Sequence, residues 1–384
     1  MFQNESKELL KALQTGEWES LSKLTKISWE KYNQSLGCFI GAAIGDSSGS
    51  YLEMIGRKPN EDEVLRALKM PGGGVWRVGS GQLTDDTEMA LSLAKGLISP
   101  LDHSKTTFNI NQIAYQYGQW LKSGPFDMGY TTQKALIPIL KADPDDPKLA
   151  SKMINQSKKL NSESKANGSL MRATPLAIWG HQLPVKTLAE CARTDSRLTH
   201  PNPSCADAVA AYVIACAHLI NHPGENKEAF SIAEQWIKEN ACEEVQEWIG
   251  LAKENKDIPY YPLAGFVKIA FVHAFRHLLL GTSFELALKE TLLGGGDTDT
   301  NAAIVCGLIG AFHGITQIPK SFVNSLLNCK FSKEVPRPQN FHPSIIPYYV
   351  RSLLEIAPES LQKVKNETNT NTNTNTNTNE KKEL

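Results

Sequence analysis

Residues 294–300 read Gly-Gly-Gly-Asp-Thr-Asp-Thr, which packs two carboxylates and two hydroxyls into four positions behind three glycines. A second cluster of the same make-up, Thr84-Asp85-Asp86, stands far earlier in the chain. Each precedes a run of apolar residues at helical spacing: Met89, Ala90, Leu91, Leu93, Ala94 and Leu97 after one, and Thr300 to Phe312, apolar on nearly every face, after the other. A helix apolar all round is a buried helix, so the acids at its start need a partner. Hard oxygen donors of this kind suit Mg²⁺ or Mn²⁺, and two clusters together supply the carboxylates of a two-ion site. Asp and Thr are also favoured helix N-caps, and capping alone would explain either cluster by itself. The recurrence of the cluster argues for metal.

Other residues capable of chemistry lie between these poles. Asp46 and Glu53 are seven apart, two turns if one helix spans both, and would then face one site. Asp127 stands in the loop Gly124-Pro-Phe-Asp-Met-Gly-Tyr, where turn formation is the commoner use of an Asp. Asn167-Gly168-Ser169 forms a turn followed by Arg172, an arrangement of N–H groups and a cation that suits a phosphate. His200 precedes a loop stiffened by Pro201 and Pro203. His273 and His277 have the spacing of a zinc pair, but Arg276 stands between them and no third ligand is evident, so we read them as packing or surface residues.

These residues must be positioned by helices. Gly37, Gly41, Gly45 and Gly49 recur every four residues, a stripe along one helix face. Each costs a helix about 1 kcal/mol relative to alanine, so the stripe implies a very close helix contact. Further helices are expected over 108–122, 132–141, 262–280, 283–292 and 344–356, with amphipathic helical spacing over 1–34. Period-two alternation is scarce, and we expect an all-α fold. We divide the chain into an N-terminal helical extension (1–34), a catalytic unit (35–360) and a Thr/Asn-alternating tail (361–384) without fixed structure.

Composition excludes little but guides. Of 384 residues, 40 are basic and 41 acidic, a net charge of -1, so nothing global draws the chain to nucleic acid or anionic membrane. No apolar run approaches the ~20 residues that span a bilayer, and the start lacks the layout of a secretory signal. Seven cysteines without a C-x-x-C pair read as reduced core residues. We expect a cytoplasmic monomer.

Three stretches together resemble the ADP-ribosylglycohydrolase family: Gly41-Ala-Ala-Ile-Gly-Asp-Ser-Ser-Gly-Ser-Tyr-Leu-Glu53, Gly81-Gln-Leu-Thr-Asp-Asp-Thr-Glu-Met89 and Gly294-Gly-Gly-Asp-Thr-Asp-Thr-Asn-Ala-Ala303. The resemblance implies a compact orthogonal helical bundle with two Mg²⁺ or Mn²⁺ ions in a central cleft. It implies metal ligation by Thr84, Asp85, Asp86, Asp297, Asp299 and Thr300, with Asp86 and Asp299 also central to catalysis. Asn167, Gly168 and Ser169 match a loop that holds the ADP-ribose diphosphate, and His200 stands where some members touch substrate. Glu53 matches an acid that gates the cleft or assists catalysis in some members, and Asp127 resembles an acid proposed as base in others. The implied reaction removes mono-ADP-ribose from a modified protein, most simply from arginine, releasing ADP-ribose. The alternatives are an O-linked substrate, such as ADP-ribosyl-serine or O-acetyl-ADP-ribose, and a non-catalytic ADP-ribose-binding relative.

Overall fold

The glycine stripe is explained by one helix pair. In the computed structural model the helix Trp29–Gly49 runs against Thr298–His313 so closely that side chains have no room. A Cβ on Gly37 would lie 2.2 Å from the carbonyl oxygen of Gly310, on Gly41 2.5 Å from that of Cys306, and on Gly45 2.2 Å from that of Ala302. On Gly49 it would meet the Cα of Asp299 at 2.3 Å. The last of these contacts brings the end of one helix against the start of the other, and the Thr298 hydroxyl donates to the Gly49 carbonyl at 2.7 Å. The stripe therefore sets where Asp299 stands.

The structure describes residues 2–17, 27–98, 108–137, 140 and 146–358. Among them there are helices, turns and two isolated bridges, Gly73 with Val78 and Ala166 with Phe266, and no strand. The fold is all-α. In chain order the longer helices are Phe2–Thr15, Trp29–Gly49, Asp85–Ile98, Ile110–Lys122, Leu149–Asn161, Val185–Arg197, Pro203–Asn221, Asn226–Asn240, Glu243–Lys253, Val267–Leu280, Phe284–Gly294, Thr298–His313 and Ile346–Glu355. Shorter ones include Tyr130–Leu136 and Lys320–Leu327.

The central pair is enclosed on several sides. Pro203–Asn221, Val267–Leu280 and Phe284–Gly294 pack against Thr298–His313, while Asp85–Ile98 and Ile346–Glu355 pack against the other helix. Side chains such as Phe39, Ile44, Val213, Phe271 and Ile309 fill the interior. Pro203–Asn221 corrects one expectation: this 19-residue helix, with a mean hydropathy of 1.5 along its apolar stretch, is long and apolar enough to cross a membrane. Here 89% of that stretch lies inside the protein, as a core helix.

Phe2–Thr15 docks through Leu9, Ala12 and Leu13 on the C-terminal part of the body, packing against Lys320–Leu327 and Ile346–Glu355. The expected first helix is thus present, whereas Trp18, Leu21 and Leu24 of the extension lie outside the described residues, as does the Thr/Asn tail. The expected start near residue 262 is later, at Val267, because the preceding segment is taken up by a turn and the bridge to Ala166.

Candidate active site

The two acid clusters begin two neighbouring helices, and capping is only a small part of what they do: Asp299 accepts the N–H of the next residue, Thr300, at 3.0 Å. Asp297 occupies the N-cap position of Thr298–His313 but makes no side-chain capping bond. It accepts instead from the Asn167 side-chain amide at 2.7 Å. The start of Asp85–Ile98 is capped from another helix: Asp46 accepts the N–H of Thr84 at 3.0 Å and that of Thr87 at 3.1 Å. Capping by a residue from elsewhere frees Asp85 and Asp86 for other partners. Capping alone therefore does not account for these clusters.

Glycine makes the second helix start possible. Gly295 and Gly296 adopt positive φ of 73° and 79°, a turn that other residues resist. Gly294 ends the preceding helix with the ring of Tyr260 where a Cβ would stand.

Asp46 and Glu53 do not share a helix face. The helix ends at Gly49, the chain turns, and Met54 takes φ 56°. Glu53 is carried to Asp297 and Asp299, and one carboxylate oxygen from each of the three lies within 4.8 Å of the others. Trp76, from the glycine-rich loop, donates its indole N–H to Glu53 at 2.5 Å and packs on Phe126, the neighbour of Asp127. These carboxylates open onto a cavity of about 590 Å³, the size range of small-molecule sites. Glu53, Asp85, Asp127, Asp297, Asp299 and Thr300 line it, with Asn167, Gly168 and His200. Thr84 and Asp86 lie buried behind them.

Among the described residues no cationic side chain lines this cavity, and the electrostatics follow. Burial, reinforced by neighbouring acids, pushes Asp85 up to about 8 and Asp127 up to about 9. The same causes hold Asp86 and Asp299 well above the usual carboxylate range. Burial and the nearby Asp297 raise Glu53 to about 6, and burial raises Asp46 to about 6 despite four bonds from Thr84 and Thr87. The Thr84 hydroxyl lies 2.8 Å from an Asp46 oxygen and 2.9 Å from an Asp86 oxygen. One proton cannot serve both. The other oxygen of Asp86 is buried without a partner. Such a cluster must either hold protons or hold cations, and its hard, partly orphaned oxygens fit a divalent ion.

The loop at Asn167 is organised from within. Arg172 is fully buried and pairs with Asp195 at 3.2 Å, donates to the Thr199 hydroxyl at 2.9 Å and to the Gly168 carbonyl at 3.3 Å, and lies over the Tyr117 ring. Thr199 in turn meets His200 Nδ1 at 2.8 Å. This corrects the expected phosphate-facing role of Arg172. A buried acid from the helix Val185–Arg197 engages the cation, which then holds Gly168 and His200 in the cavity wall rather than facing a ligand. Ser169 is likewise turned inward, accepting the Ser196 hydroxyl at 3.0 Å. Burial lowers His200 to about 3, so it meets the cavity as a neutral ring. His273 and His277 are packing residues elsewhere, His273 stacked on Tyr260.

Sequence reasoning missed Trp76, the capping role of Asp46 and the buried pair of Arg337 with Glu88. A lone tryptophan in a glycine-rich loop and a lone arginine in a proline-rich strap were the only signals. Neither type reveals its partner without the fold.

Comparison with known proteins agrees with this geometry. The family model for ADP-ribosylglycohydrolase matches residues 29–345. The chain is 28% identical over 312 residues to the ADP-ribosyl-[dinitrogen reductase] glycohydrolase of Rhodospirillum rubrum, covering 80% of this chain and 94% of that one. It is 28% identical over 305 residues to an ADP-ribosylarginine hydrolase of Serratia proteamaculans, covering 78% and 76%. A solved structure described as an ADP-ribosylglycohydrolase-related protein complex superposes with a TM-score of 0.67 at 22% identity, over 86% of this chain and 99% of that one. The chain belongs to the ADP-ribosylglycohydrolase family, enzymes that cleave ADP-ribosyl linkages.

Proposed function

We propose that this enzyme removes mono-ADP-ribose from arginine side chains of modified proteins and that it does so with two divalent cations, Mg²⁺ or Mn²⁺. The observation that carries the reading is the convergence of Glu53, Asp297 and Asp299 beside Asp85, in one cavity lined by no cationic side chain among the described residues. Thr84, Asp85, Asp86, Asp297, Asp299 and Thr300 would hold the ions. When bound, they would polarise ribose hydroxyls and make a nearby water more acidic.

The chain's own groups supply the remainder. Gly168 lets the His200 ring close onto the backbone, where a Cβ would stand 2.9 Å from the ring, so the two together form this part of the cavity wall. The neutral His200 ring adds a wall without charge. Asp127 or Glu53, ionised where bound cations would balance the neighbouring carboxylates, takes a proton from the attacking water and passes it to the departing guanidine nitrogen as its bond to ribose C1″ breaks. Water is added across the bond, and ADP-ribose and arginine are released. The seven free cysteines, six of them buried, accord with action in the cytoplasm.

The name of the Serratia relative supports the arginine linkage. The position of Glu53 among the ligand carboxylates favours an O-linked substrate as the second reading, since an acid there can serve a poorer base than guanidine. The test measures ADP-ribose release from arginine-linked and serine-linked proteins with Mg²⁺, with Mn²⁺ and with EDTA. Cation-dependent release from the arginine-linked protein alone is expected; release only from the serine-linked one would replace the linkage, and binding without release the activity.

A further inference from the structure

The proline-rich strap from Glu334 to Pro343 sends one long side chain into the interior. Arg337 has a side chain only 1% exposed, and all five N–H donors of its guanidinium are engaged. Nε and Nη2 donate to the two oxygens of Glu88 at 2.7 and 2.8 Å. Nη1 donates to the main-chain oxygens of Ser123 and Gly124 at 2.9 and 3.0 Å, and Nη2 also to the Ser123 hydroxyl at 2.7 Å. Glu88 accepts in addition from the Trp120 indole at 2.8 Å.

This fork joins two parts of the active site. Glu88 lies on the helix that begins with Asp85 and Asp86. Ser123 and Gly124 close the helix Ile110–Lys122 and open the loop that carries Asp127 to the cavity. Arg337 bonds carbonyls that the helix end leaves without partners, and Gly124 leaves the helix with φ 68°. At the far end of the same loop Gly129 lines the cavity beside Asp85, its N–H facing that carboxyl. Residues 85 and 88 are three apart and so adjoin on one helix face. One end of the loop is thus fastened to that helix through Arg337, and the other lies against the first acid of the same helix. The Asp127 carboxyl itself has no hydrogen-bond partner among the described residues. Its place in the cavity is therefore set by its loop.

We propose that Arg337 is a positioning residue for Asp127, holding the loop 124–129 in register with the ligand-bearing helix. The proposal rests on the reading of Asp127 as an acid of the reaction. Lysine is the informative replacement, because it keeps the charge beside Glu88 but has three donors on a point charge and cannot span acid and carbonyls together.

The experiment uses the full chain with Mn²⁺ and an arginine-linked ADP-ribosylated protein, comparing R337K, D127N and the double variant. R337K should lower kcat by about 10- to 100-fold, the scale of a small displacement of a reacting group, with KM and Mn²⁺ affinity within about 3-fold of the parent. Amide hydrogen exchange should quicken across residues 124–129 and stay unchanged in the helix Thr298–His313. In the D127N background R337K should cost no more than about 2-fold further. Unchanged exchange, or a loss of kcat on R337K substitution as large in the D127N background as in the parent, would overturn the proposal. If R337K does not fold, Ser123→Ala removes one of the five bonds; faster exchange of the loop supports the tether and unchanged exchange refutes it. Full kcat in D127N alone would instead remove the acid role of Asp127, a failure distinct from that of the tether because loop exchange in R337K would still be fast.

Discussion

Two groups of buried carboxylates in this protein are treated differently. Asp195 and Glu88 each face an arginine, Arg172 and Arg337, inside networks where neighbouring hydroxyls, carbonyls and an indole complete the bonding. Asp85, Asp86, Asp297, Asp299 and Glu53 have one another, an amide, a few hydroxyls and an indole, but no cationic side chain among the described residues. A buried charge without a counter-charge is costly, and at Asp195 and Glu88, where only architecture is at stake, the fold supplies one. The contrast teaches that the cavity cluster lacks the internal counter-charge the other acids have, the condition under which a cation from outside the chain could balance it.

The sharpest way to break the comparison is to neutralise one acid from each group. Asp299→Asn should lower kcat/KM by at least about 1000-fold while making the ion-free protein more stable, because it removes a buried acid that burial and its neighbours force to hold a proton. Loss of stability in EDTA, read by thermal unfolding, would put Asp299 with the structural acids. Asp195→Asn should do the reverse. It leaves Arg172 buried and uncompensated, at about 3–5 kcal/mol in urea unfolding, and an undiminished stability would show that the pair is not needed.

A smaller effect follows from Thr84, whose hydroxyl lies between Asp46 and Asp86. Thr84→Val should weaken Mn²⁺ binding by about 10-fold in calorimetric titration, and unchanged affinity would exclude a role at the ion site. The smallest effect is on pH. Asp85, Asp127, Glu53 and Asp46 have folded values of about 8, 9, 6 and 6, all above those of an unfolded chain. The folded state therefore binds more protons, and ion-free stability must fall as pH rises from about 5 through 9. We expect a drop in Tm of about 5 °C across that window in EDTA, flattened by saturating Mn²⁺. A Tm that rises with pH in EDTA would contradict the unbalanced cluster.

Much of this was legible in residue types and spacing. The all-α class followed from apolar periodicity, and the four-residue glycine stripe foretold the close helix pair that the Gly45 and Ala302 contact realises. The two oxygen clusters announced themselves by composition, since few other uses need Asp-Thr-Asp-Thr behind three glycines. Capping, the competing use, could not be dismissed from sequence, because local spacing is the same in both cases. Only the tertiary structure showed Asp46 capping a helix that is not its own, and Asp297 at an N-cap position turned to Asn167 instead.

The same limit explains the misplaced residues. Arg172 beside a glycine–serine turn has the local pattern of a phosphate site, and whether its charge meets a ligand or a buried acid depends on Asp195, brought in by another helix. Asp46 and Glu53 looked like one helix face because spacing cannot reveal that the helix stops at Gly49. Arg337 and Glu88 meet across 249 positions, and nothing in a chain's local pattern encodes such a pairing. Sequence determines which chemical groups exist and which faces must be buried; the direction in which a buried charge is satisfied is decided by packing, where elements distant in the chain compete for it.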